Sequence, residues 1–214
     1  MTLAEMRTEV FRRLNESSVS PDFWSEADVD EALNDGLAEI SDASEWFERH
    51  ASIPALHQRP YYDLRTVLQD DTILAPGRCL NVQTNRWIEP TYVRDLDYHT
   101  YRRWESIATG QMERMFLRGL WFLGFFPQAS ADSGYVRLWY KAIPPPLVNA
   151  TDEPGFPREF HYGLVEYAVG DLLGQEGETK KALTKWAAYQ QKEDGLTAYT
   201  DKRQAKDRIN ALHG

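Results

Sequence analysis

The sequence predicts an α+β fold: a helical bundle formed by the N- and C-terminal helices, with an antiparallel β-rich region inserted between them. Two observations carry this. Apolar residues recur at helical spacing near both ends of the chain, on amphipathic stretches that each need a partner surface. Between the ends lie short apolar runs separated by turn residues, the pattern of antiparallel strands. The expected divisions are residues 1–45 for the N-terminal helices, 46–147 for the β-rich region, and 148–214 for the C-terminal helices and tail.

The first helix starts at a capping box, Thr2-Leu3-Ala4-Glu5, and carries Leu3, Met6, Val10 and Leu14 toward Asn15. Residues 17–22 read as a loop. Ser25 caps a second helix, with Val29, Leu33, Leu37 and Ile40 on one stripe and Glu26, Asp30, Glu31, Asp35 and Glu39 opposite. From Trp46 the pattern shortens. Strands are expected at 46–56, 61–64, 72–74, 79–84, 87–92, 112–118, 120–126 and 135–143, with turns at His57–Pro60, Asn85-Arg86, Gly119 and Asp132–Gly134. Asp95 is expected to cap a short helix reaching Trp104. Pro144-Pro145-Pro146 ends the β-rich region, because proline donates nothing to a ladder. A third helix follows Pro157, with Phe160, Leu164, Ala168 and Leu172 on its apolar face. Its glycines, Gly163, Gly170 and Gly174, each cost roughly 1 kcal/mol in a helix, so they point to another helix approaching closely. A fourth helix begins near Thr179, carries Leu183, Trp186 and Leu196, and continues as a tail toward Leu212.

Composition narrows the function. The chain is 42% hydrophobic and 27% charged, which is globular. Seven Trp and eleven Tyr suit interface use, since each ring joins a large apolar face to one polar tip. The single cysteine, Cys79, excludes an internal disulfide and reads as a small buried residue of a strand. No basic, apolar leader opens the chain, and no run approaches the ~18–20 apolar residues that span a bilayer. The expectation is an intracellular protein without a membrane partner.

Charge is uneven. Residues 1–50 hold 13 acidic and 4 basic residues, whereas residues 179–214 hold 8 basic and 4 acidic. The whole carries −9, which disfavours non-specific binding to DNA phosphates. Such polarity either orders neighbouring copies or belongs to solvated helix faces.

Reactive chemistry is hard to find. No phosphate-binding glycine loop and no G-x-S-x-G elbow occurs. His50, His57, His99, His161 and His213 lack metal-ligand spacing. Residues 28–36 resemble a calcium loop faintly, but Ala32 and Leu33 fall where oxygen ligands belong, so a helix explains them better. Asp70-Asp71 and Asp152-Glu153 read as solvated turn carboxylates. His161, next to Phe160, reads as a packing or capping residue. No catalytic residue, cofactor or metal is expected.

The run from Asp152 to Ala168, Asp152-Glu153-Pro154-Gly155-Phe156-Pro157-Arg158-Glu159-Phe160-His161-Tyr162-Gly163-Leu164-Val165-Glu166-Tyr167-Ala168, resembles the D-x-P-x-x-P-x-x-F-H-x-x-L-v-x-y-A stretch of head-to-tail adaptor (connector) proteins of tailed bacteriophages. The strand meander after Gly110, the closing prolines and the capped N-terminal helix pair are similar too. Residues 57–92 and Gln111-Met112, where a proline is common, depart from that pattern. The resemblance implies a non-enzymatic virion protein at the head–tail junction, assembled in the host cytoplasm. It implies a homo-oligomeric ring of about twelve copies, closed by a heterologous interface. Its partners would be the portal protein and tail, nozzle or stopper proteins, with DNA passing through the channel without sequence-specific binding. A tail-tube or stopper component is the alternative; a virion-associated hydrolase or a DNA-binding regulator fits the residues less well. The basic tail, with Lys202, Arg203, Lys206 and Arg208 beside the apolar Ile209 and Leu212, is the expected portal-docking element, ordering on assembly.

Overall fold

The computed structural model describes residues 1–16, 23–44, 46–68, 73–99, 109–119, 121–130 and 134–212; for residues 73–76, 99 and 204–212 it describes the backbone only. The fold is mixed α/β, with α1 (Leu3–Leu14), α2 (Glu26–Ser44), β1 (Glu48–Pro54), β2 (Tyr61–Asp63), α3 (Leu64–Val67), β3 (Ile73–Asn81), β4 (Arg86–Pro90), α4 (Val93–His99), β5 (Arg114–Arg118), β6 (Phe122–Phe126), β7 (Tyr135–Ala142), a 3-10 turn (Arg158–Phe160), α5 (His161–Gln175) and α6 (Thr179–Leu212). The chain forms two compact units. One joins Met1–Phe47 to Ile143–Gly214; the other is Glu48–Ala142.

In the helical unit, α1 has the expected capping box. The Glu5 amide donates to Thr2 Oγ1 at 3.3 Å, and the Thr2 amide donates to Glu5 Oε2 at 3.0 Å. Asn15 ends the helix at φ 63, a left-handed position that asparagine tolerates. Ser25 and Asp28 make the equivalent exchange before α2: the Asp28 amide donates to Ser25 Oγ, and the Ser25 amide to Asp28 Oδ2. The stripe Val29, Leu33, Leu37 and Ile40 is buried, with Leu3, Met6 and Val10 of α1 and Leu164, Ala168 and Leu172 of α5, in one shared core. Each large side chain withdrawn from water contributes about 1.5–3 kcal/mol.

The α5 glycines lie under α6. A Cβ at Gly170 would stand 2.7 Å from Trp186 Cδ1, so only a hydrogen lets the indole cross the helix there. Gly36 of α2 similarly admits the Tyr167 ring, at 2.8 Å. On α6 itself the inward residues are Ala182, Tyr189, Leu196 and Thr200. Leu183 is 57% exposed; the buried stripe of α6 runs one residue earlier, at a seven-residue repeat from Ala182. Arg13 pairs with Glu9 and Glu166, Lys185 with Glu166, and Arg7 with Asp30 and Glu26.

The second unit is a seven-stranded sheet in the order β1-β7-β3-β4-β5-β6-β2. Four expectations are corrected here. Residues 73–81 form one strand rather than two; Pro76 and Gly77, which interrupt the sequence pattern, are absorbed by register shifts against β7. The sheet is not wholly antiparallel, since Glu89 and Pro90 of β4 pair in parallel with Arg114 and Met115. The chain from 91 to 113 supplies the crossover that parallel strands require. Asp95 lies inside α4 rather than capping it, and Leu64–Val67 forms a helical turn capped by Asp63 instead of continuing a strand. The region expected to carry α4 on to Trp104, the loop at 17–22, Asp70-Asp71, Leu120 and Asp132-Ser133 lie outside the described residues.

Alternation in β7 sends Val136, Leu138, Tyr140 and Ala142 inward. Cys79 and Ile88 join them from β3 and β4, and Ile53 from β1. Tyr135, Arg137, Trp139 and Lys141 occupy the other face of the same strand.

Candidate functional site

The family-like run is a clamp around the helix ends. The first amides of a helix have no partner within it. Here the Leu3 amide donates to the Asp152 carbonyl at 2.8 Å and the Ala4 amide to the Ala150 carbonyl at 3.1 Å. The loop is shaped by Asp152, whose carboxylate accepts the Asn149 and Val148 amides at 2.7 and 2.9 Å. Those two bonds hold its pKa below the usual carboxylate value. Asn34 of α2 grips Leu147 from both sides: its Nδ2 donates to the Leu147 carbonyl at 3.1 Å, and the Leu147 amide donates to its Oδ1 at 2.7 Å. Trp46 Nε1 donates to the Gly155 carbonyl at 2.9 Å.

His161 completes the clamp. Its Nε2 is 2.9 Å from the Phe156 carbonyl, which can only accept, so Nε2 carries the proton. Nδ1 is then the acceptor for the Met1 nitrogen at 2.7 Å. The ring is 1% exposed and meets Phe156 edge to face. Burial, first of all, lowers its pKa. This is the packing and capping role read from the sequence.

Several other candidates for chemistry are engaged in structural contacts. Glu153 is paired with Arg158, and that hydrogen bond lowers its pKa. Burial pushes the Cys79 thiol up to about 12, so it is no nucleophile near neutrality. Residues 28–36 are helical, with Asp28 on Ser25 and Asp30 on Arg7. His50 stacks toward Trp139. Among the described residues no group of three or more His, Cys, Asp or Glu could hold a metal ion. Among them, too, no helix is long and apolar enough to cross a membrane.

Two surfaces remain. The first is the basic end of α6. Lys202 and Arg203 are exposed, and the Arg203 guanidinium lies 5.9 Å over the Trp46 ring, beside Tyr199. Lys206, Arg208, Ile209 and Leu212 follow on the same helix, which is continuous from Thr179 rather than ending in a short separate tail. Their side chains lie outside the described residues.

The second surface escaped the sequence reading. On the open face of the sheet, Trp87 of β4 and Trp139 of β7 stand 5.2 Å apart, and the Arg78 guanidinium sits 5.2 and 5.6 Å over their rings. Arg137 lies 5.8 Å over Trp139. Trp87 is 53% and Tyr135 57% exposed. The period-two alternation Tyr135-x-Arg137-x-Trp139-x-Lys141 was the available signal.

No curated protein matches this chain. A family model described as SU10 adaptor protein matches residues 1–212, and that span takes in the clamp, the sheet and α6. The chain therefore belongs to the SU10 adaptor protein family, a phage head-to-tail adaptor family.

Proposed function

We propose that this protein is the structural head-to-tail adaptor of a tailed bacteriophage. Copies form a ring of about twelve under the portal, closed by a heterologous interface. The ring extends the DNA channel and offers a platform to tail proteins, and the protein catalyses nothing. The observation that carries this reading is the family match over residues 1–212. The clamp agrees with it, because its polar groups cap and pin backbone instead of facing a substrate. The four helices α1, α2, α5 and α6 act as one bundle, and the sheet is the insertion it presents.

Within this reading the portal-docking element is the end of α6, with Lys202, Arg203, Lys206, Arg208, Ile209 and Leu212. Thr200 is buried and Arg203 stacks on Trp46, so a clean test cuts after Arg203. The chain ending at 203 should keep its unfolding transition and lose attachment to portal-containing heads. Attachment equal to that of the full chain would remove Lys206, Arg208, Ile209 and Leu212 from the docking element. The protein alone at low concentration should be monomeric and should assemble on portal; light scattering with no portal association at any concentration would overturn the adaptor reading.

A further inference from the structure

Two faces of this chain each carry a group of exposed charges of one sign. Helix α2 holds seven acidic residues and no basic one. Glu26 and Asp30 are answered by Arg7, and Asp28 by Ser25. Glu31, Asp35 and Glu39 continue as an exposed stripe at steps of four residues. Like charges at that spacing repel along a helix. On the outward sheet face, Arg78 and Arg137 stand among Trp87, Trp139 and Tyr135, and Arg78 Nε lies 3.9 Å from Glu48 Oε1. A guanidinium over an indole ring can still offer N–H groups to a further carboxylate.

The spacings agree. Four residues of helix rise about 6 Å, and two residues of strand about 6.8 Å. Exposed Trp, Tyr and Arg together are also the side chains that dominate interface energetics. A nucleic acid could in principle stack on such rings, but a chain of net charge −9 is a poor polyanion binder.

We infer that the acidic stripe Glu31-Asp35-Glu39 of one copy docks on the Arg78/Arg137/Trp87/Trp139 face of the next. The contact is heterologous, a different surface from each copy, so it propagates and can close into a ring. This rests on the ring reading above and names the two surfaces that ring would join.

Charge reversal tests it with the full chain. One variant carries Arg78→Glu and Arg137→Glu; the other carries Glu31→Lys and Asp35→Lys. All four positions are exposed, and circular dichroism checks that both variants fold. Self-association is read by sedimentation equilibrium over a concentration series. Each variant alone should associate at least tenfold more weakly than the wild type, because like now faces like. An equimolar mixture should recover to within about twofold of wild type. In the mixture every junction pairs opposite charges, whichever variant supplies the sheet. Variants that associate like the wild type, a mixture no better than its components, or a wild type that never self-associates would each overturn the inference. So would a sheet-face variant that loses binding to a single-stranded oligonucleotide while its self-association is unchanged. Attachment to portal-containing heads separates the two readings. If heads still bind the chain but the mixture is not rescued, only this interface falls. If rescue holds and heads bind nothing, only the placement at the portal falls.

Discussion

Arg13 in the helical unit and Arg78 in the sheet unit have different kinds of partner. Arg13 lies between Glu9 and Glu166, joining α1 to α5, and Lys185 of α6 reaches the same Glu166. Glu9, hydrogen-bonded first by Arg12 and then by Arg13, is held down to about 2 and stays charged. Arg78 lies instead over two indole rings, with a carboxylate only at the 3.9 Å limit of pairing. The first arrangement spends its hydrogen-bonding groups on the fold. The second leaves guanidinium edges and ring faces at the surface. The contrast is between ion pairs that join helices and a guanidinium lying over exposed rings.

Core truncation is the strongest way to break that contrast. Leu164 is fully buried within the core shared by α1, α2 and α5. Leu164→Ala should cost about 2–5 kcal/mol in urea unfolding, the transfer loss plus the cavity. Trp87→Ala removes a larger side chain, yet one that is 53% exposed, and should cost about 1 kcal/mol or less. Comparable losses at the two sites would show that the sheet-face rings hold the fold as the core does.

A glycine pair sharpens the account of the helical unit. Gly170→Ala places a methyl 2.7 Å from Trp186 Cδ1 and 2.8 Å from Nε1, the near edge of the indole. The steric cost of about 1–3 kcal/mol should exceed the ~1 kcal/mol gained in helix propensity. At Gly174 the closest Trp186 atoms are 3.7 Å away, an ordinary contact. Gly174→Ala should therefore stabilise, by up to about 1 kcal/mol. Opposite signs one turn apart, measured by chemical denaturation, are the expected outcome. Equal signs would mean that Trp186 swings aside freely.

The helical unit was legible because its signals are local. Capping at Thr2 and Ser25, the stripe from Val29 to Ile40 and the glycines of α5 each state their role within a few residues. The inward side of α6 was not legible, because the helix buries a narrow seam and Ala182 is too small to announce it. The sheet was legible only strand by strand. Its parallel β4–β5 pairing depends on where the chain returns after residues 91–113, which no local pattern encodes. The Asn34–Leu147 clamp joins residues far apart in sequence, and an asparagine within a helical stripe looks like an ordinary polar residue. The Arg78–Trp87–Trp139 cluster likewise appears only once register sets three strands side by side.

The smallest expected effect is a pH dependence, and it tests the clamp rather than the core. His161 is buried with Nε2 donating to Phe156 and with Nδ1 2.7 Å from the Met1 nitrogen and 3.2 Å from the Met1 carbonyl oxygen. Its folded pKa lies below the ordinary 6.5, because burial disfavours the charged form. As pH falls the unfolded chain therefore takes up this proton first. Stability from this group is present above pH ~6.5 and is lost as pH falls through that value toward the lower folded pKa. The slope cannot exceed about 1.4 kcal/mol per pH unit for one proton. Glu153 already sits below its usual value beside Arg158, so it stays ionised across this window. His161→Gln removes the titration but keeps a side chain able to donate to Phe156. The stability gap between wild type and this variant, measured by denaturant unfolding, should narrow from pH 7.5 to pH 5.5. A gap that stays constant would mean that His161 takes up its proton in the folded chain as readily as in the unfolded one, and that the clamp does not depend on a neutral ring.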